Sequence, residues 1–272
     1  MTIGPAAAVV SSVDCHAHVM QRDYPLAPER HSAPARDVTL EEYLAVLDAH
    51  EVSHGVLTAP SFYGADNTIL LRALARAPTR LRGTAIVEPE TDVSALAALR
   101  EQGVRGIRLN WVKRKSLPDV ATPAWRKLFA AVRELDLHVE IYLEGELLPG
   151  VLPVIRDCGA TVVLDHFGCP DPAAGVASKG LKLILQALTE GNTWVKLSAP
   201  YRLGGADPQR YVDAFLAAGG LSRLVWASDW PFVGHESSIT YRQCQNWLKE
   251  WLPGEDTRKA VLVDNPRRLF GF

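Results

Sequence analysis

His16 and His18 stand two residues apart at the end of an apolar run, Val9–Cys15, that has the composition of a β-strand. Side chains at positions i and i+2 of a strand project to the same side, so the two imidazoles would face one point. Such a pair can bind a metal ion or polarise a substrate oxygen. A His-x-His pair also occurs in exposed polar loops, so this assignment needs support from other parts of the chain.

Polar residues at the ends of other apolar runs provide that support. His166 and Asp229 each directly follow a short apolar run. Arg108 and Tyr142 lie inside two more, and Arg202 comes shortly after another. Charged residues are rarely buried without partners, so chance is a poor explanation of the set. The pattern indicates an active site that these residues share with the histidine pair.

The elements that would position these residues alternate between short apolar runs and amphipathic stretches. The predicted strands are Val9–Cys15, His54–Ala59, Arg82–Glu88, Val104–Asn110, His138–Leu143, Thr161–Asp165, Thr193–Ser198 and Arg223–Ser228. The predicted helices are Thr39–Ala49, which opens with a capping box, Thr68–Ala77, Val93–Gln102, Ala124–Leu135, Leu147–Asp157, Lys179–Leu188, Tyr211–Ala218, Ile239–Leu252, Arg258–Leu262 and a short one at Pro266. Strands that alternate with helices favour a parallel sheet, and eight strands close a barrel. We therefore expect a single-domain α/β chain over residues 1–272, folded as a (β/α)8 TIM barrel.

Composition and charge narrow the class of protein. Lysine and arginine number 29 against 31 acidic residues, and no long basic run is present, so we expect no nucleic-acid binding. No apolar run has membrane-spanning length, and no secretory signal pattern opens the chain. The four cysteines are scattered without CxxC spacing, which is typical of free thiols. These features predict a cytoplasmic enzyme that does not bind membranes.

The chain resembles the amidohydrolase superfamily in its order of a His-x-His motif, a later strand-end histidine and a late aspartate. Within that superfamily it is most similar to the amidohydrolase-2 group, in the branch of the 2-pyrone-4,6-dicarboxylate hydrolases. The matching segments are Val13-Asp14-Cys15-His16-Ala17-His18-Val19, Tyr24-Pro25-Leu26-Ala27-Pro28-Glu29-Arg30, Gly106-Ile107-Arg108-Leu109-Asn110, Leu164-Asp165-His166-Phe167-Gly168, Trp194-Val195-Lys196-Leu197-Ser198-Ala199-Pro200-Tyr201-Arg202 and Ser228-Asp229-Trp230-Pro231. The resemblance implies a barrel fold and hydrolysis of a lactone.

Lactone hydrolysis needs a base that activates water and a group that polarises the carbonyl. We expect Asp229 to be the base and His16, His18 and His166 to polarise the carbonyl. The resemblance implies that no cofactor is obligatory. If one divalent ion such as Zn²⁺ is bound, these same four residues would be its ligands. Strand four carries no Lys or Glu at the position where two-metal relatives have a bridging ligand. We therefore expect no two-metal site.

The expected partner is a small anionic lactone. A planar guanidinium pairs bidentately with a carboxylate, which suits arginine for this substrate. The side chains expected to contact the substrate are Arg108, Arg114, Arg202, Tyr142 and Ser61. Arg114 belongs to a basic loop after strand four, Trp111–Pro123, and a solvated surface charge is an equal alternative for it.

Two departures from the family pattern fall on the presumed substrate face. Cys169 stands where the pyrone-dicarboxylate enzymes resemble one another in carrying an arginine, and His31-Ser32 stand where they usually carry a tyrosine. Loss of an arginine would shift preference toward a less acidic substrate. A metal-dependent decarboxylase of an aromatic or muconate-type acid and a sugar-acid lactone isomerase are alternatives on the same barrel. A non-enzymatic binding protein is disfavoured because the histidines and the aspartate are all intact.

Overall fold

The computed structural model describes residues 9–28, 30 and 32–272 of the chain. It contains a single sheet of eight parallel strands in which each strand pairs with the next, in the order β1 to β8. The strands are β1 (Val13–Ala17), β2 (His54–Thr58), β3 (Leu81–Ala85), β4 (Val104–Asn110), β5 (His138–Tyr142), β6 (Thr161–Leu164), β7 (Thr193–Leu197) and β8 (Leu224–Trp226). The predicted (β/α)8 barrel is confirmed.

Helices follow the strands and cover the outside of the barrel. They are α1 (Leu40–Ala49), α2 (Thr68–Arg76), α3 (Val93–Glu101), α4 (Pro123–Glu134), α5 (Leu152–Asp157), α6 (Lys179–Glu190), α7 (Pro208–Ala217), α8 (Tyr241–Trp251), α9 (Glu255–Lys259) and α10 (Asn265–Phe270). The predicted capping box is present: Thr39 Oγ1 accepts from Glu42 N at 3.1 Å, and Glu42 Oε2 accepts from Thr39 N at 2.8 Å. No helix in the described part of the chain is long and apolar enough to cross a membrane.

The first and last strands meet at a seam that has little backbone pairing. One isolated bridge joins Ala17 to Trp230, with His18 N donating to Trp230 O at 2.9 Å. Asp229 N donates to His16 O at 3.0 Å. Asp14 completes the connection, because its carboxylate accepts from Ser228 N at 2.8 Å and from Ser228 Oγ at 2.6 Å. The seam therefore lies at the strand ends that carry the candidate catalytic residues.

Three strand predictions were wrong at their ends, because side chains replace backbone partners there. The first strand starts at Val13 rather than Val9, since the N–H groups of Ser11 and Ser12 donate to Ser53 Oγ. The third ends at Ala85, where the next N–H donates to Asn67 Oδ1. The eighth spans only Leu224–Trp226 and ends before Ser228, whose N–H is bonded to Asp14.

Two helix predictions also need correction. Residues 145–157 form a 3₁₀ turn, Gly145–Gly150, followed by the short α5, because Pro149 has no N–H to donate to a continuous α-helix. The predicted helix Arg258–Leu262 begins earlier, in α9, and runs through a π-helical turn, Ala260–Asp264, into α10. Phe270 at the end of α10 packs against the apolar interior of the barrel.

The barrel interior has an apolar part and a polar part. The apolar part comprises Val13, Cys15, Val56, Val163, Trp194, Val225, Ala227 and Phe270. Gly106 lies between this part and the polar one, where a Cβ atom would come within 2.2 Å of His138 Nε2. Glycine is therefore required at position 106 for the imidazole of His138 to fit.

Candidate active site

Asp229 lies at the centre of a cluster of three imidazoles at the C-terminal ends of the strands. Its Oδ1 atom is 3.7 Å from His16 Nε2 and 3.8 Å from the Nε2 atoms of both His18 and His166. All four residues are buried. The structure thus brings together the four residues that the sequence predicted to be catalytic, and aims one carboxylate oxygen at three ring nitrogens.

Unusual backbone conformations place two of these side chains. Asp229 has φ of 64° and His166 has φ of 50°, in the left-handed region that non-glycine residues seldom occupy. Residues held in that region cluster at functional sites, since the surrounding structure must compensate for the strain. Asp14 supplies part of that support by holding Ser228, the residue before Asp229, through two hydrogen bonds.

The outer nitrogens of the imidazoles have defined partners. His18 Nδ1 is 2.7 Å from the carbonyl oxygen of Thr58, and His166 Nδ1 is 2.8 Å from Ser198 Oγ. A carbonyl oxygen only accepts, so His18 carries its proton on Nδ1 and presents a lone pair at Nε2. Burial lowers the pKa of His18 and of His166 to about 4, so both rings are neutral at neutral pH.

The second carboxylate oxygen of Asp229 is occupied by two donors. Tyr201 Oη donates to Oδ2 at 2.8 Å, and Arg202 Nε donates to the same atom at 2.9 Å. Burial alone would raise the pKa of Asp229, but Arg202 and the imidazoles hold it well below its usual range. Asp229 is therefore ionised, with Oδ1 as its free oxygen.

Beneath the cluster lies a buried ionic network that the sequence analysis did not identify. Lys196 Nζ is 2.5 Å from Glu140 Oε2 and 3.1 Å from Asp165 Oδ1. Arg108 closes the network, with Nη2 at 3.0 Å from Asp165 Oδ2 and Nε at 3.3 Å from Glu140 Oε1. Two cations and two carboxylates balance one another, as buried charges require. His16 joins this network, because Lys196 Nζ lies 2.9 Å from its Nδ1 atom.

Sequence position carried a signal for this network. Glu140 stands two residues before Tyr142 in β5, and Lys196 stands two residues before Ser198 at the end of β7. Residues at this spacing share a face of the strand. Charged residues inside strands that are otherwise apolar therefore belong to the same barrel interior as the predicted site.

The residues predicted to contact substrate fall into two groups. Ser61, Arg108 and Arg114 line a cavity of about 800 Å³, and none of the four cluster residues is among its described lining residues. Tyr142 instead packs edge-on against His166, with ring centroids 4.9 Å apart, while Arg202 pairs with Asp229. The guanidinium of Arg108 also donates to Ala59 O at 3.0 Å, so this residue connects the cavity to the ionic network.

The cavity wall is strongly basic. Its exposed cations are Arg30, Lys113, Arg114 and Lys115. Glu88 is the one carboxylate among the described lining residues. A concave surface with this charge excess attracts anions.

At the departures from the family pattern, Cys169 and Ser32 contribute no cation. Cys169 Sγ lies 3.8 Å from the carbonyl oxygen of Asp165, and burial raises the pKa of its thiol, so the side chain is neutral. Ser32 is half-buried. His31 lies outside the described residues.

Two groups of side chains have the spacing of metal ligands: His16, His166 and Asp229, and His16, Glu140 and Asp165. Ligands of a tetrahedral zinc ion lie about 3.4 Å apart, close to the separations around Asp229 Oδ1. Coordination through His16 Nε2 would require a proton on Nδ1, but that atom faces the Lys196 ammonium. In this arrangement His16 therefore does not fit a metal site, and the second group already surrounds Lys196.

Comparison with known proteins assigns the chain to a family. The sequence profile of the Amidohydro_2 family, described as amidohydrolase, matches residues 13–272. The chain belongs to this family, which confirms the resemblance found in its motifs.

Particular relatives are similar over almost the whole chain. A 2-pyrone-4,6-dicarboxylate hydrolase of Comamonas testosteroni is 31% identical, covering 95% of this chain and 90% of its own. A 4-sulfomuconolactone hydrolase of Rhizobium radiobacter is 30% identical, covering 95% and 89%. The crystal structure of a probable 2-pyrone-4,6-dicarboxylic acid hydrolase of Acinetobacter baumannii, with citric acid bound, is 34% identical and superimposes with a TM-score of 0.91, covering 96% and 99%.

Proposed function

We propose that this protein hydrolyses a small lactone that carries negative charge, of the 2-pyrone-4,6-dicarboxylate type. The observation that carries the proposal is the single free oxygen of Asp229 facing three imidazoles. A basic cavity, which Arg108 connects to the ionic network beneath this cluster, supports it. The named relatives act on a pyrone dicarboxylate and on a sulfonated lactone, and both substrates are anionic.

Asp229 acts as the general base in this proposal. Tyr201 and Arg202 occupy Oδ2, which leaves Oδ1 to accept a proton from water held among the imidazoles. The resulting hydroxide adds to the lactone carbonyl, and His16 and His166 polarise the carbonyl oxygen. His18 was expected to polarise it too, but the lone pair on its Nε2 atom only accepts hydrogen bonds, so His18 holds the attacking water instead. The ring C–O bond then breaks, and Asp229 returns its proton to the leaving oxygen. One water is consumed, and the new carboxylic acid ionises at neutral pH.

Substrate charge is bound at the cavity side in this proposal. Arg114 and Ser61 contact one acidic group from the cavity wall, and Arg108 contacts the substrate from the deeper end. Tyr142 and Arg202 contact it from the side of His166 and Asp229. Because Cys169 is neutral, the site offers fewer cations than the family pattern implies, which favours a lactone with fewer acidic groups.

A panel of lactones that differ only in the number of carboxylates tests the proposal. Ring opening is followed by loss of ring absorbance and by release of one proton per turnover. The proposal expects both signals, with carboxylated lactones preferred over neutral ones. Release of carbon dioxide from an aromatic or muconate acid would instead identify the protein as a decarboxylase. Conversion of a lactone to an isomeric lactone without proton release would identify it as an isomerase.

The same assay tests the cofactor. We expect activity to persist in protein from which metals have been removed with a chelator and whose metal content has been measured. Activity that disappears on metal removal and returns with Zn²⁺ would show that the His16, His18, His166 and Asp229 cluster needs an ion.

A further inference from the structure

The position of the proton on His16 follows from its contact with Lys196. Lys196 Nζ is 2.5 Å from Glu140 Oε2 and 3.1 Å from Asp165 Oδ1, and a buried amine between two carboxylates is held as an ammonium. An ammonium donates hydrogen bonds and accepts none. The 2.9 Å contact between Lys196 Nζ and His16 Nδ1 therefore makes Nδ1 the acceptor and leaves the ring proton on Nε2.

The opposite side of the ring leads to the same assignment. His18 donates from Nδ1 to the carbonyl oxygen of Thr58 and has a lone pair on Nε2. His16 Nε2 lies 3.2 Å from that lone pair, which requires a proton on His16 Nε2. Two other acceptors lie near His16 Nδ1, Asp165 Oδ1 at 3.2 Å and Glu140 Oε1 at 3.7 Å, but neither oxygen makes an aligned hydrogen bond within the described part of the chain.

We propose that Lys196 is a positioning residue that keeps the proton of His16 on Nε2 and so prevents His16 from ligating a metal ion. The Nε2–H group faces the His18 lone pair in this structure, at the edge of the space in front of Asp229, and it is the donor that a lactone carbonyl oxygen bound there would meet. A metal on Nε2 would move the proton to Nδ1, directly against the ammonium. This inference deepens the proposed role of His16, but its test requires no turnover.

Among the described residues, the charged groups that face Lys196 all belong to the ionic network. Glu140 and Asp165 contact it directly, and Arg108 pairs with both carboxylates from the other side. Removal of the ammonium alone would leave one buried negative charge in excess, which would attract cations by itself. The informative variant is therefore the double substitution Lys196→Met with Glu140→Gln, which keeps the network neutral.

Nitrogen NMR of protein labelled with [¹⁵N]histidine measures the proton position directly. Long-range ¹H–¹⁵N correlations distinguish a ring protonated on Nδ1 from one protonated on Nε2, and the His16 signals are assigned by their loss in His16→Asn. The wild-type protein is expected to show the Nε2–H pattern, and an Nδ1–H pattern would overturn the proposal. In the double variant we expect a shift toward Nδ1–H, since Asp165 Oδ1 becomes the available acceptor.

Zinc titration by calorimetry measures the consequence for metal binding. Partners behind a ligating histidine change metal affinity about ten- to a hundred-fold, so the double variant should bind Zn²⁺ at least about ten-fold more tightly than the wild type. Lys182→Met, on the exposed face of α6, is the matched control and should match the wild type. Equal affinities in all three proteins would overturn the proposal.

The outcomes separate this inference from the proposed function. If no lactone is opened while the NMR pattern and the zinc affinities are as expected, the proposed function fails and the role of Lys196 stands. If the double variant does not fold, the wild-type spectrum alone still tests the proton position.

Discussion

Arg202 Nε donates a hydrogen bond to Asp229 Oδ2 at 2.9 Å, and this ion pair does more than any other contact to keep the carboxylate of the proposed base ionised. Loss of the guanidinium raises the pKa of Asp229, because burial then opposes ionisation with less compensation. A base must be deprotonated to work, so its activity is lost as pH falls through its pKa. In Arg202→Met we expect the acidic limb of the kcat/KM profile to move to higher pH.

Tyr201→Phe is the matched control for this prediction. It removes the other donor to Oδ2 without changing the net charge, so the limb should move in the same direction by a smaller amount. Profiles in which neither variant moves the limb would contradict the role of Asp229 as the base.

Asp229→Asn preserves the size of the side chain while removing its basicity. We expect kcat to fall by about 10²–10⁴-fold, the usual contribution of a positioned base, while the binding of an unreactive anionic analogue is largely retained. Single-turnover kinetics and calorimetry measure the two effects separately. Full activity in this variant would assign the base to another residue.

Arg114→Met tests whether the basic cavity binds substrate. The side chain is exposed on the cavity wall and is bonded to no other side chain in the described structure, so its loss should raise KM about ten-fold and leave kcat nearly unchanged. Arg100→Met makes the same chemical change in the last turn of α3, at the opposite end of the barrel, and should have no effect. An unchanged KM in Arg114→Met would place this residue among the solvated loop charges.

Acid should destabilise the protein between about pH 6.5 and pH 4. Burial lowers the pKa of His18 and His166 to about 4 and that of His138 to about 3, so the unfolded chain binds protons that the folded chain does not. Burial raises the pKa of Asp14 to about 6 and also raises the pKa of Glu140, so these two carboxyl groups oppose the effect. The three histidines outnumber the two carboxyl groups, and the free energy of unfolding therefore falls as pH falls through this window.

Urea unfolding at pH 7, 6 and 5 measures this dependence. The midpoint should decrease from pH 7 to pH 5, and His138→Gln, which lies away from Asp229, should show a smaller decrease than the wild type. A midpoint that is constant or rises on acidification would contradict the assignment of neutral buried imidazoles.

Gly106→Ala tests how tightly the imidazole of His138 packs against β4 inside the barrel. The added methyl group would lie 2.2 Å from His138 Nε2, and overpacking of this kind costs about 1–3 kcal/mol of stability. Gly150→Ala is the matched control, since a Cβ there meets no atom within 4 Å. Equal unfolding midpoints for both variants would show that the ring of His138 can move aside.

The barrel and the cluster around Asp229 could be predicted because the sequence pattern of each strand agrees with its place in the fold. Apolar runs mark the strands, and polar residues just after them mark the catalytic face, as for His166 and Asp229. The ends of strands could not be predicted where side chains take over backbone partners, as Asp14 does for Ser228. Such pairs join residues far apart in sequence, and a periodic pattern contains no information about them.

The ionic network was missed for a different reason. Each of its members looks like an isolated polar residue in a strand, and their meaning depends on which strands lie opposite one another in the closed barrel. Lys196 on β7 reaches Glu140 on β5 across the interior, past β6 between them. Arg108 was predicted to bind substrate carboxylates, and the structure shows that protein carboxylates already occupy much of its guanidinium.

The seam between β1 and β8 gives the protein a local route to inactivation. Few backbone bonds hold it, and they run between His16, His18, Asp229 and Trp230, with the two side-chain hydrogen bonds of Asp14 to Ser228 beside them. Regions with few stabilising contacts open at lower free energy than the whole domain. Separation of β1 from β8 would move Asp229 and the histidines apart, while the other seven strand pairings remain intact. Heat or denaturant would then abolish activity reversibly before the barrel unfolds. A substrate bound across the seam would raise the temperature or denaturant concentration at which activity is lost.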